Sequence, residues 1–122
     1  MAAPPTTIRL RLLFGEDGTM FGPGKADLLE GIAAEGSIAA AGRRMGMSYR
    51  RAWSLVEEMN AAFARPLVDT SRGGARGGGA RLTGEGAAVL AHYRALEAQV
   101  AALGAPEIDG IARLLRTGAP GR

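Results

Sequence analysis

The stretch from Gly36 to Phe63, GSIAAAGRRMGMSYRRAWSLVEEMNAAF, constrains this chain most, because two helix starts and one helix stop crowd into it. Ser37 can accept from the free N–H groups that open one helix, Gly46 can take the left-handed conformation that ends it, and Ser48 can cap the next. From Ser48 on, Ala52, Val56, Met59 and Phe63 recur at spacings of four, three and four, which places them on one buried stripe. Tyr49, Arg50, Arg51 and Ser54 fall off that stripe. The pattern predicts two helices joined by a tight turn, the second opening on a polar, arginine-bearing tip. A DNA major groove requires such a tip, since only that end of a helix reaches base edges and arginine can fork onto guanine.

The chain has 122 residues, enough for one domain with a core of its own but not for a separate catalytic or ligand-sensing domain of usual size. Its formal charge of +3 is unevenly spread. Residues 43 to 81 hold eight arginines against Glu57, Glu58 and Asp69, a local excess of +5 that leaves −2 for the remainder. All basic residues except Lys25 are arginine. That suits bidentate contacts to phosphate and bases, and equally suits a GC-rich genome, which would also explain the abundance of Ala and Gly. The absence of cysteine excludes disulfides, thiolate catalysis and cysteine-built zinc sites. No apolar run approaches membrane-spanning length, and Ile8 to Phe14 is interrupted by Arg9 and Arg11, unlike a secretory signal. A cytoplasmic protein without membrane partners is expected.

Residues 1–7 read as a flexible tail carrying Pro4 and Pro5. Ile8, Leu10, Leu12 and Phe14 alternate with Arg9, Arg11 and Leu13, predicting a strand over 8–14 that returns through Asp17-Gly18 into Thr19 to Phe21. A first helix is expected over Lys25 to Glu35, with Leu28, Leu29 and Ile32 inward. Past Pro66, Leu67 to Asp69 and Arg81 to Thr83 read as paired short strands. The intervening Ser71–Ala80 stretch, with five glycines, Arg72 and Arg76, makes a cationic hairpin tip, that is, a wing. Thr83 then caps a long helix in which Val89, Tyr93, Leu96, Val100 and Leu103 step four, three, four, three, a coiled-coil type of seam that one helix seldom covers alone. These residues are the expected dimer interface. Residues 104–122 read as a short amphipathic segment, with Ile108, Ile111, Leu114 and Leu115, and a flexible end. The expected class is thus mainly α with small β-hairpins (α+β): a winged helix-turn-helix domain over 8–103, with an N-terminal hairpin and a long C-terminal dimerisation helix.

The residues Gly36-Ser37-Ile38 with Ala40-Ala41, Met47-Ser48-Tyr49-Arg50-Arg51-Ala52-Trp53, Met59-Asn60, and Gly77-Gly78-Gly79-Ala80-Arg81-Leu82-Thr83 followed by Gly86 carry a resemblance. From about Gly22 to Leu96 the chain resembles the N-terminal DNA-binding domain of ModE-type molybdenum-responsive transcription regulators, winged helices related to the LysR type. The resemblance implies a dimer on palindromic operator DNA, with the second helix in the major groove and the wing on the flanking backbone. Ser48, Tyr49, Arg50 and Arg51 match the groove positions, and Lys25, Arg72 and Arg76 are candidates for phosphate. Such regulators carry molybdate-binding β-barrel modules after this domain, and no strand-rich stretch follows here. Molybdate binding is therefore not expected, and no cofactor is implied.

Ser37, Arg43, Arg44 and Ser54 complete the expected DNA contacts, the local +5 favouring phosphate contact by Arg43 and Arg44 over a merely solvated face. Trp53 is expected to pack rather than stack on a base, beside Ala52 and Val56. Tyr49 stands between the two, its hydroxyl suited to phosphate. The glycine-rich stretch lacks the GxxxxGK[ST] spacing of a phosphate-binding P-loop. His92, the sole histidine, has no second ligand near it, and the adjacent Glu57 and Glu58 point to different sides of a helix. No nucleophile with base and orienting partner is seen, so an enzyme is not expected. The expected function is sequence-specific transcriptional regulation by a homodimer bound to double-stranded DNA. The alternatives are a nucleoid-type protein with little sequence preference and a helix-turn-helix module that meets another protein.

Overall fold

A computed structural model describes residues 5–71 and 79–116. The elements run β1 (Leu12–Phe14), β2 (Thr19–Phe21), α1 (Pro23–Glu35), α2 (Ile38–Arg44), α3 (Tyr49–Ala62), β3 (Val68–Ser71), β4 (Gly79–Leu82), α4 (Gly84–Leu103) and α5 (Ala105–Arg113). They form an α+β winged helix: a helical core flanked by two antiparallel two-stranded hairpins, β1–β2 and β3–β4.

The helix boundaries follow local chemistry. Pro23 occupies the first turn of α1, where a missing N–H costs nothing, so the helix starts two residues earlier than expected. Gly36 stops it at φ 74°, donating its N–H to the Ile32 carbonyl. The Oγ of Ser37 accepts from Ala40 N at 2.9 Å and that of Ser48 from Arg51 N at 3.0 Å, opening α2 and α3 as predicted. Between them Gly46 adopts φ 73°. Thr83 caps α4, accepting from Gly86 N at 3.0 Å, while its own hydroxyl donates to the carbonyl of Pro66 at 2.7 Å.

Leu28, Leu29, Ile32, Val56, Met59 and Leu67 are the largest fully buried side chains, and they join α1, α3 and the start of the second hairpin in one core. At about 25 cal/mol per Å² of apolar area removed from water, this cluster dominates the favourable side of folding. Small residues allow close helix approach: a β-carbon on Gly31 would lie 3.1 Å from that of Ala41, and one on Gly42 the same distance from that of Ala52. From α4, Tyr93 enters the core against Phe21, ring centroids 5.2 Å apart and edge-on.

Two expectations about extent need correction. The first strand pairs only over Leu12–Phe14, because its partner has just Thr19–Phe21 before the Pro23 helix begins; upstream, the carbonyl of Leu10 accepts instead from the Tyr93 hydroxyl at 2.6 Å. Phe14, at the end of the apolar alternation, is exposed. In the second hairpin the ladder runs from Val68 opposite Leu82 to Ser71 opposite Gly79. Leu67 and Thr83 lie just outside it, although Thr83 N still reaches the Leu67 carbonyl at 2.9 Å. The expected wing tip, with Arg72 and Arg76, lies outside the described residues.

Candidate nucleic-acid interface

Placing α3 begins with the short turn between it and α2. The amides of Met45 and Met47 both bond to the carbonyl of Gly42, at 3.1 and 2.9 Å, which fixes the angle between the two helices. Ala52, Leu55, Val56 and Met59 then hold one side of α3 in the core. That leaves Ser48, Tyr49, Arg50, Arg51 and Ser54 together on the exposed side of its first turns. Tyr49, 56% exposed, lies nearly parallel to Trp53, with centroids 6.4 Å apart. Trp53 packs partly against the core, as expected, so it is a pedestal that restricts Tyr49.

Around this tip the arginines differ in freedom. Arg43, at the end of α2, and Arg50 and Arg51 are exposed, and no carboxylate among the described residues lies within ion-pair distance of them. Arg44 is half engaged, 3.5 Å from Glu35 across the α1–α2 junction. Ser37 is half-buried and serves first as the α2 cap. An ionised guanidinium in solvent with no partner can meet a phosphate or a guanine edge without first breaking an internal contact.

Two candidate residues lie elsewhere than expected. Lys25 is only 5% exposed; its Nζ donates to the Met20 carbonyl at 2.7 Å and pairs with Glu58 at 3.4 Å. It ties α1 to β2 and α3 and is not available to phosphate, because desolvating an ammonium is tolerable only with such partners. Tyr93 is 2% exposed and belongs to the monomer's core rather than to an intermolecular seam. Burial, reinforced by the nearby Glu97 carboxylate, holds its hydroxyl above the ordinary value of 10.0. Of the other seam residues, Val89, Leu96 and Val100 are half-buried and Leu103 is exposed.

Two residues have supporting roles not read from the sequence, where Asn60 entered only as one of the residues that carry the resemblance and Arg94 not at all. Asn60, beneath the far end of α3, accepts from the amides of Leu67 and Val68 at 2.8 and 3.1 Å and donates to the Val68 carbonyl at 3.1 Å. Arg94 of α4 clamps α1 through Asp27 at 2.8 Å and Glu30 at 2.6 Å, and binds Glu97 on its own helix at 3.1 Å. The Asp27 hydrogen bond, aided by Glu30 and Glu97, keeps this guanidinium charged even more firmly than usual. An asparagine interrupting the apolar stripe of α3 was the available signal for the first; nothing local marks the second.

Among the described residues no group of His, Asp or Glu could hold a metal, and no helix is long and apolar enough to cross a membrane. Residues 25–87, just over half the chain, match the family described as bacterial regulatory helix-turn-helix protein, lysR family. The chain is similar to the molybdenum-pterin-binding protein MopB of Rhodobacter capsulatus, 45% identical over 86 residues that make up 70% of this chain and 32% of that protein. It is similar to the molybdenum transport protein ModE of Azotobacter vinelandii, 42% identical over 66% of this chain and 30% of that protein. To the DNA-binding transcriptional dual regulator ModE of Escherichia coli it is 39% identical over 58% of this chain and 27% of that protein. The chain thus spans no more than about a third of the length of these relatives. It belongs to the lysR-type family of bacterial helix-turn-helix regulators, a family of DNA-binding proteins and not of enzymes.

Proposed function

We propose that this member of the lysR-type helix-turn-helix family is a sequence-specific, homodimeric transcriptional regulator of ModE-like type, acting in the cytoplasm on double-stranded DNA. The observation that carries this reading is the α3 tip, where Tyr49, Arg50 and Arg51 stand exposed and the two arginines have no ion-pair partner among the described residues. Arginine-rich surface around it, including Arg43, supplies affinity and register through phosphates, and the tip discriminates bases.

Pairing of two copies is supported by apolar surface that one copy leaves open. Leu103 is 83% exposed, and Ile111 and Leu114 of the following segment are 66% and 87% exposed. Close by on α4, Val89 and Leu96 border an open apolar cleft of about 220 Å³ shared with Leu12 and Phe14 of the first hairpin. Two-fold pairing along this side would present two α3 tips to successive major grooves. Relatives have names that refer to molybdenum, but the sensing of molybdate is not assigned to these 122 residues. Molybdate and sulfate alike are expected to leave the melting midpoint unchanged, since a ligand that binds only the folded state must raise it.

Selection of bound sites from random duplex DNA tests the reading. Enrichment of an inverted repeat, with half-sites about one helical turn or a multiple apart, is expected. Binding without enrichment would favour a nucleoid-type role, and no binding to any duplex at low salt would favour a protein-interaction module.

A further inference from the structure

Beside the α3 tip, between the segment that leads into β1 and the start of α1, lies an open cleft of about 340 Å³. Met20, Met47 and Leu55 supply apolar walls, and Arg9, Arg11 and Arg51 supply its cationic rim. These three guanidiniums come from chain segments some 40 residues apart, so local sequence does not group them. No carboxylate among the described residues lies within ion-pair distance of any of the three. The nearby Glu58 carboxylate is on the Lys25 ammonium instead. Gly22 lines the cleft floor: a β-carbon there would lie 3.2 Å from the sulfur of Met20 and 3.4 Å from Cγ of Arg11, which places both side chains beside the start of α1. Three like charges around one concavity raise a positive potential that an anion would relieve.

We propose that this cleft seats the sugar–phosphate backbone flanking the bases read by α3, with Arg9 and Arg11 as phosphate contacts, extending the DNA interface onto the segment that leads into β1. The proposal rests on the DNA-binding reading above. Two features commit it to a duplex rather than to a small free anion. The cleft is open instead of enclosed, which suits a passing chain. It also shares Arg51 with the α3 tip, so a backbone strand leaving the groove passes directly over it.

Salt dependence of DNA binding by the full chain, measured on the selected operator and on a random duplex, tests this. Each phosphate contact contributes about 0.9 to the slope of log K against log salt. Arg9→Gln with Arg11→Gln should therefore flatten the slope by about 1.8 on both duplexes, each single variant by about half of that, with Arg9→Lys and Arg11→Lys restoring most of it. Melting midpoints show which variants fold, and the single variants carry the test if the double one does not. An unchanged slope in folded variants, while the wild type binds DNA normally, overturns the cleft assignment alone. A wild type that binds no duplex overturns both it and the functional reading. A midpoint rise with inorganic phosphate that R9Q and R11Q abolish, without change in the DNA slope, identifies a free-anion site and also overturns the proposal.

Discussion

A β-carbon added to Gly86 would overlap the carbonyl oxygen of Leu67, so the first turn of α4 rests on the backbone that leads into the second hairpin. Gly84, two residues earlier, has no neighbour within 4 Å of such an atom. Gly86→Ala is therefore expected to destabilise the fold by about 1–3 kcal/mol, the usual cost of overpacking, whereas Gly84→Ala should be neutral or stabilising by up to about 1 kcal/mol. Thermal melting of the two variants side by side checks this; equal midpoints would show that α4 does not sit on Leu67.

The Tyr93 hydroxyl, bonded to Leu10 across 83 residues, predicts a pH dependence. Burial, then the Glu97 carboxylate, raises its pKa in the fold above the ordinary 10.0, so folding favours the neutral phenol. That stabilisation is complete below the unfolded value and is lost as pH rises through the folded one. Tyr93→Phe should cost about 0.5–1.5 kcal/mol at neutral pH, and the gap between variant and wild type should narrow above about pH 10. Denaturant unfolding at pH 7, 9 and 11 measures it; a gap that widens with pH contradicts the assignment.

Arg50 and Arg43 separate base reading from backbone contact. At the α3 tip a bidentate base contact is worth about 1–3 kcal/mol of discrimination, so Arg50→Ala should relax preference for the operator over random DNA. Arg43→Ala, at the end of α2, should weaken both equally, as is expected from sequence for Arg72→Ala and Arg76→Ala. Competition binding at fixed salt decides between these patterns, and equal losses from Arg50→Ala on both duplexes would remove it from the groove.

Leu103→Asp with Ile111→Asp probes pairing without touching the core, since both side chains are more than half exposed in one copy. Burying an apolar side chain of this size is worth roughly 1.5–3 kcal/mol, so a charge at each position should dissociate a dimer at micromolar concentration while the melting of the monomer stays cooperative. Sedimentation velocity reports the outcome. A wild type already monomeric at that concentration ends the dimer proposal.

What was legible in the sequence was what neighbours along the chain decide. Ser37, Ser48 and Thr83 cap their helices through bonds spanning three residues, and Gly36 and Gly46 turn because of their own backbone freedom, so residue type and position sufficed. Lys25, Tyr93 and Arg94 were not legible. A cation before a helix reads the same whether it meets phosphate or, like Lys25, the Met20 carbonyl and a glutamate 33 positions away. An aromatic residue in a four-three seam reads the same whether it faces a second copy or, like Tyr93, plugs its own core. Likewise the cleft rim joins Arg9 and Arg11 to Arg51 across the start of α1, a meeting of distant segments that local sequence does not show.

Asn60 gives the fold a mechanical property. Its three hydrogen bonds weld the lower end of α3 to the start of β3, so the helix and the hairpin strand form one bracket with a set opening angle. Such a bracket resists being retuned one arm at a time: on the proposed DNA-binding reading, rolling the helix to favour a different base would carry the hairpin strand with it. On that proposal, divergent binding preferences should arise by exchanging side chains on an unmoved frame, and tolerance to the distance between half-sites should be set where the two copies of the proposed dimer meet.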